Sequence, residues 1–385
     1  MDGTPQEYRW HAEPETLGMA REPLERGMTT LLAGCADGRH PGAQAYLSRH
    51  GTALLEYACG EARPGAPLTP DSLTAWFSAC KPLTAMAIAM LYDQGLLDLD
   101  DPVRRFIPAF GNGKEACTIR HVLTHQGGFA NAVTAPQGRS AEEIIAEICA
   151  YPAEYPPGGK AGYHPTGGWY VLGEIVRVID GRGIGQYVAE QLFAPLGMHG
   201  SQMGIPAERQ RELNSRLALV AVGVSEREPF ASQAMVDTFN SPAEIAQVNP
   251  SGGIRGPARD LGRFYEFLLA GGRWEGRQLI DARTVALFTA CHRWDLPDLT
   301  LMQAPLPWGL GFGLYGNADV HRTVSRRMFG HSGMVSSVAL GDPELGLACV
   351  VITTGLLDPM GNARRLREVT GAMVEACTDA RGSSP

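Results

Sequence analysis

The sequence predicts an α+β fold: an antiparallel sheet built from both chain ends and flanked by helices, plus a mostly helical lobe, with a cleft between them. Three observations predict it. Residues 43–49 and 53–59 alternate in strand fashion around His50-Gly51, a tight-turn pair. Strand-like runs return only near the other end, at 308–315, 334–340 and 347–354. The long stretch between them carries mostly helical periodicity. Strands from both ends can share one sheet while the middle packs as a second body. The expected division is an arm at 1–15, a sheet lobe at 16–77 and 250–380, and a helical lobe at 78–249. The cleft between the lobes is the natural place for a site.

Taken in order, residues 1–15 are expected to form a loose arm. Residues 17–36 have helical periodicity, Pro41-Gly42 breaks the chain, and the hairpin follows. A Pro/Gly-rich loop at 60–72 leads to a short strand at 73–77, which runs into a helix at 78–94 stopped by Gly95. In the acidic run Asp98, Asp100, Asp101, the last residue is expected to cap a short helix opening at Pro102. Further helices are expected at 141–150, 168–179 and 185–192, with an irregular segment at 205–248. A helix at 258–269, a GGRWEG turn, the late strands and a helix at 362–377 complete the chain.

Composition narrows the function. The formal charge is −8 and no run of Lys and Arg stands out, so no nucleic-acid partner is expected. The most apolar stretch, 83–91, is far too short to cross a bilayer, so no membrane partner is expected. The opening MDGTPQEYRWHAEPE has early acids and no apolar core, unlike a secretory signal, and this predicts a cytoplasmic location. The eight cysteines are scattered and form no CxxC pair, which fits reduced thiols rather than disulfides or a zinc cluster. No cofactor and no metal are expected.

Three short motifs carry chemistry. Ser78-Ala79-Cys80-Lys81 opens a helix, and three-residue spacing puts the hydroxyl and the amine on one face. A serine hydroxyl needs a neighbouring base to become a nucleophile. A lysine supplies one when burial or nearby charge lowers its pKa. Tyr163-His164-Pro165 follows the loop Pro156-Pro157-Gly158-Gly159 and precedes a helix; a tyrosine held there can shuttle a proton, or can simply be packed. His331-Ser332-Gly333 is expected to open the strand at 334–340, where a small Gly lets substrate approach the backbone and amide N–H groups can meet an oxyanion.

The order and spacing of these motifs, with several flanking strings, resemble the penicillin-recognising serine enzymes: class C β-lactamases, D,D-peptidases, family VIII carboxylesterases and related acyltransferases. The matching flanks are LLDLDDPV at 96–103, TIRHVLTH at 118–125, PLGM at 195–198, Gly252-Gly253 with ARDL at 258–261, and FGHSG at 329–333. The resemblance spans about residue 40 to residue 375. It implies Ser78 as nucleophile, Lys81 as its base and Tyr163 as a second proton carrier. It also implies His331-Ser332-Gly333 as the strand triplet, and an oxyanion hole made by the N–H groups of Ser78 and Met334. The implied reaction has two halves: acylation of Ser78 by an ester or amide, then transfer of the acyl group to water or a second nucleophile.

Four departures set the chain apart from the β-lactamases and peptidases it resembles. Pro165 stands where Asn or Ser usually closes the tyrosine motif, and the segment from Tyr163 to Gly173 is one residue longer than usual. His331 replaces lysine and removes a fixed positive charge for a substrate carboxylate. No signal sequence is recognisable. Together they favour a small-molecule ester or amide as substrate, with hydrolysis as the first reading. Transfer to an amine or alcohol acceptor, in a pocket from the 205–248 segment and Trp308, is the second. A catalytically silent binding protein on the same fold is the third; it would fit better had Ser78, Lys81 or Tyr163 been lost.

Several tempting residues have plainer readings. His121 and His125 have the i, i+4 spacing of a zinc helix, but position 122 is Val rather than Glu. His164 could tune Tyr163, yet lining the cleft is the simpler expectation. Cys80 should point away from the Ser78 face. Trp76, Trp169, Tyr170 and Trp308 could line an acyl pocket or pack in the core. Ser332 is not a G-x-S-x-G nucleophile, because position 334 is Met.

Overall fold

A computed structural model describes residues 3–133, 136–301, 305–315 and 319–377. From the front of the chain come β1 (Gln6–Trp10), β2 (Gly42–Arg49) and β3 (Thr52–Arg63). From the back come β4 (Gly313–Leu314), β5 (Phe329–Gly333), β6 (Ser337–Asp342) and β7 (Leu347–Thr353). They order as β1-β3-β2-β7-β6-β5-β4, and every neighbouring pair is antiparallel. The seam between the two chain ends is β2 on β7, in register from Arg49 opposite Leu347 to Ala43 opposite Thr353. His50 and Gly51 both adopt positive φ, the two-residue turn whose twist suits a tight hairpin.

The helices that bear on the site are α1 (Arg21–Ala36), α2 (Lys81–Asp93), α3 (Gly167–Asp180), α4 (Ala258–Leu269) and α5 (Pro359–Glu375). Strand alternation sends side chains to both faces of the sheet. Ala43, Ala45 and Leu47 of β2 and Leu347, Cys349 and Val351 of β7 join a core with Leu24, Met28 and Leu31 of α1 and Leu366, Val369 and Met373 of α5. Their alternates, Tyr46, Ala348, Val350 and Ile352, join the core that holds Leu261, Phe264 and Tyr265 of α4. That second core continues into the helical body. There α2 is buried continuously from Lys81 to Leu91, as expected of a helix apolar on every side. Among the described residues no helix is long and apolar enough to cross a membrane.

Five expectations need correction. Gln6–Trp10 is an edge strand rather than part of a loose arm: it pairs with β3 from Gln6 opposite Cys59 to Trp10 opposite Leu55, and Tyr8 packs on Tyr57 at 4.6 Å between ring centroids. It covers the long outer edge that β3 would otherwise expose. The strand expected at 73–77 shrinks to Thr74–Ala75, which pairs with Ile254–Gly256 outside the main sheet. Asp101 does not cap a helix; its carboxylate accepts the Asp98 N–H and binds Arg105. Of the strand expected at 308–315 only Gly313–Leu314 forms, because Gly311 at φ +84° turns the chain so that Trp308 bridges back to Gly313. The His331-Ser332-Gly333 triplet ends its own strand, β5, and a turn at Met334–Ser336 separates it from β6. The 205–248 segment is irregular, with short helices at Ala207–Glu212, Gln233–Phe239 and Pro242–Ala246.

The α4–sheet contact depends on one missing side chain. A Cβ at Gly262 would lie 2.1 Å from a ring carbon of Tyr46, whose hydroxyl donates to Glu266 at 2.5 Å. Gly262→Ala is therefore expected to lower stability by about 1–3 kcal/mol through overpacking, read as a shift in the denaturation midpoint.

Candidate active site

Ser78 lies in a single 3₁₀ turn, Phe77–Cys80, that leads directly into α2. In a 3₁₀ turn, side chains three apart eclipse each other, which brings the Ser78 hydroxyl over Lys81. The turn is fixed from both sides. The Trp76 indole donates to Gly256 O at 2.9 Å, and Trp76 O accepts the Ala79 N–H at 3.2 Å and the Ser337 hydroxyl at 3.0 Å. Gly333, at the end of β5, presses against the same turn. A Cβ there would fall 2.2 Å from Trp76 O, so only glycine allows the approach.

Lys81 Nζ lies 2.8 Å from Ser78 Oγ, 2.8 Å from Pro165 O and 2.7 Å from Ser251 O. The side chain is fully buried, and no carboxylate is among the groups that shift its titration. Burial pulls its pKa from the ordinary 10.5 down to about 7. As an ammonium it donates to all three oxygens. As a neutral amine it keeps two N–H groups for the two carbonyls, and its lone pair is left facing the Ser78 hydroxyl as an acceptor. The geometry thus suits a base whose protonation changes nothing but that one contact.

Tyr163 faces Ser78 from the other side; burial pushes its pKa up, and only the neighbouring Ser78 hydroxyl opposes that shift. The tyrosine therefore stays a neutral phenol near pH 7, able to give a proton. Its loop is held by a buried ion pair that sequence reasoning missed. Asp298 accepts the Tyr163 N–H at 3.0 Å and also the N–H groups of Thr300 and Leu301. Arg293 meets Asp298 at 3.1 Å and donates to Thr124 O at 2.9 Å. Residues 135 apart in sequence form the Asp298–Tyr163 contact. The only local sign was a pair of charges among aromatic and apolar neighbours.

The other expected residues fall into two groups. His331 and Trp308 sit beside Tyr163, with ring centroids 6.1 Å from it in each case and 5.6 Å from each other. His331 Nδ1 lies 2.6 Å from Ser332 O and must carry the hydrogen that bonds it; burial and Lys81 push its pKa down to about 3. His331 is neutral, so it offers no fixed cation. Ser332 is half-buried, and Met334 follows Gly333 in the turn, packed against the cluster that holds Phe77. His164 is a correction: it is fully buried, stacked on Phe129 at 4.5 Å, and lines no cleft. Gly127 and Gly168 closely approach its ring, which leaves it no path outward.

His121 and His125 part company. His121 Nδ1 accepts the Thr118 N–H in a capping box, while buried His125 accepts the His164 N–H and lies 4.6 Å from the Tyr163 ring. Among the described residues no group of His, Cys, Asp and Glu could hold a metal ion. Cys80 is buried, and burial raises its thiol pKa to about 11, so it is an inert thiol. Trp76 and Trp169 are core residues.

A family model described as Beta-lactamase matches residues 22–372. The Mycobacterium tuberculosis protein named esterase/beta-lactamase LipL is 30% identical over 317 residues, covering 76% of this chain and 72% of that one. A penicillin-binding protein homolog from Caulobacter crescentus superposes with a TM-score of 0.77 at 26% identity, covering 92% of this chain and 99% of that one. A family VIII carboxylesterase superposes with a TM-score of 0.77 at 24% identity over 95% of this chain and 99% of that one, a likeness of fold.

Two outcomes follow from the geometry. A base works in its deprotonated form, so kcat/KM toward an activated ester is expected to rise with pH through a midpoint near 7, where Lys81 loses its proton. Lys81→Met should remove the activity. A flat profile between about pH 5 and about pH 9 excludes Lys81 as the base. Asp298→Ala strands the Arg293 charge and should cost roughly 3–5 kcal/mol, whereas Asp298→Asn keeps an acceptor for the Tyr163 N–H and should retain more activity at the same temperature.

Proposed function

This chain belongs to the beta-lactamase family and is a serine hydrolase/acyltransferase-type enzyme of that family; from that premise we propose that it cleaves small neutral esters through an acyl-enzyme on Ser78. The observation that carries the reading is the buried Lys81 amine, 2.8 Å from Ser78 Oγ with its other hydrogens taken by two carbonyls.

In this reading Ser78 Oγ attacks the ester carbonyl carbon while its proton passes to the Lys81 lone pair. The carbonyl oxygen becomes an oxyanion between the N–H groups of Ser78 and Met334. The C–O bond of the ester breaks, Tyr163 protonates the departing alkoxide, and Lys81 returns its proton to Tyr163. Water then enters, gives its proton along the same route, and displaces Ser78 from the acyl group. The Ser332 and Gly333 backbone would flank the substrate at the end of β5, with His331 and Trp308 beside the leaving group.

Neutral esters are favoured by the charge of the site. His331 is uncharged, burial moves Lys81 toward the neutral amine, and the Arg293 charge is matched by Asp298. Among these three groups, a penicillin or peptide carboxylate beside the scissile bond would meet no fixed cation. The relative named esterase/beta-lactamase supports ester cleavage in the family without deciding between water and another acceptor. Acyl transfer to an alcohol or amine would use the same residues and differ only in what enters after the first product leaves.

Incubation with p-nitrophenyl acetate or butyrate, followed by intact-protein mass spectrometry, tests this. Wild type should carry an acyl adduct that Ser78→Ala lacks. Loss of the adduct in plain buffer marks a hydrolase, and loss only with added alcohol or amine marks a transacylase. Equal p-nitrophenol release by wild type and Ser78→Ala sinks the acyl-enzyme reading.

A further inference from the structure

The turn after β5 is built in a conformation its sequence resists. Gly333 O accepts the Ser336 N–H at 2.9 Å, which puts Met334 and Val335 at the two central positions. Val335 adopts φ +42°. A positive φ at the second central position normally calls for Gly or Asn, and a β-branched residue is the least suited to it. Left alone, such a turn would relax, and the Met334 N–H would move with it.

Two side chains of α5 hold it from behind. Arg365 is almost completely buried, and its guanidinium donates to Val335 O at 3.2 Å, Gly355 O at 3.2 Å and Asn362 Oδ1 at 2.8 Å. Its other terminal nitrogen donates to His40 Nδ1 at 3.0 Å. His40 is able to accept because its Nε2–H is given to Leu31 O. The guanidinium is therefore braced, through His40 just before β2, by α1, independently of the turn. Asn362, one helical turn earlier on the same face, donates to Asp319 at 3.3 Å, and the Asp319 carboxylate lies close enough to the Ser332 side chain to be stabilised by it. The two α5 residues thus tether Ser332 and Val335, on either side of Gly333-Met334.

We propose that Arg365 and Asn362 are positioning residues that hold the Met334 N–H in place for the oxyanion, from a helix outside the site. The proposal rests on the acyl-enzyme reading, in which the Met334 N–H stabilises the tetrahedral intermediate. The test compares Arg365→Met, Arg365→Lys, Val335→Gly and the double variant Val335→Gly/Arg365→Met, using p-nitrophenyl butyrate and thermal melts. Arg365→Met should lower kcat by roughly 10- to 100-fold with KM and the pH midpoint little changed, and Arg365→Lys should recover part of the loss. In the double variant, glycine accepts the positive φ without a clamp, so kcat should largely return while the melting temperature stays low. A pillar of the fold alone would not behave this way.

Unchanged kcat in Arg365→Met, or a loss that Val335→Gly does not relieve, overturns the proposal. If Arg365→Met does not fold, Asn362→Ala decides: a fall in kcat at constant KM supports the tether, and wild-type kcat refutes it. Failure of wild type itself to be acylated by p-nitrophenyl butyrate or by a fluorophosphonate would instead refute the acyl-enzyme reading.

Discussion

A lysine amine sealed away from water, with no carboxylate to balance it, is the constraint around which the site is arranged. A charged ammonium there would carry the full cost of desolvation, so the fold tips Lys81 toward the neutral form and meets what remains with oxygens. Those oxygens come from distant places: Ser78 from the turn before α2, Pro165 from the loop after Tyr163, and Ser251 from the approach to the Ile254–Gly256 strand. Each carbonyl must be aimed, so the three segments are fixed relative to one another. Pro165, the odd residue in its motif, fits this role. It contributes a carbonyl and locks its own φ, and it has no N–H needing a partner in a dry site.

The same logic extends outward from Tyr163. A phenol that must meet Ser78 needs its backbone placed by something other than loop propensity, and the Asp298–Arg293 pair does this from a segment far along the chain. A buried ion pair is weak evidence of stability, because desolvation offsets most of its attraction. Its value here is directional. One carboxylate oxygen gathers the N–H groups of Tyr163, Thr300 and Leu301, and so fixes a loop on the opposite wall of the site.

What sequence could reveal follows from how local each feature is. The Ser78–Lys81 pair was legible because three residues on one turn are enough to build it. The strands at both ends were legible because alternation marks them, and their meeting in one sheet left little choice of topology. The edge strand at Gln6–Trp10 was hidden because five residues beside a proline-containing, acidic stretch carry too little pattern to outweigh the usual looseness of a terminus. The break between β5 and β6 was hidden because Val335 is a strand former placed in a turn. Asp298 and Arg365 were out of reach for a different reason: each acts only on a residue brought to it by the fold, and each looks like an ordinary surface charge when read in place.

Strain bears on how the two N–H groups proposed as oxyanion donors are held. Phe77 at φ +49° precedes Ser78, and Val335 at φ +42° follows Met334. Each such residue costs about 1–3 kcal/mol and survives only where its surroundings over-determine it. The surroundings are of that kind. Trp76 is bonded to Gly256 and Ser337 on one side of Phe77, and Phe77 itself packs edge-on against Phe239 at 5.2 Å. Val335 is tied through its carbonyl to Arg365. Gly333 closes the gap, since its missing Cβ lets the strand end rest on Trp76 O. Two strained peptides, one before Ser78 and one after Met334 and each held by its own surroundings, leave the N–H groups of Ser78 and Met334 little freedom to turn. Donors that are fixed before the reaction need no reorganisation when negative charge develops between them, and this is the condition under which a hydrogen bond stabilises a transition state more than its substrate.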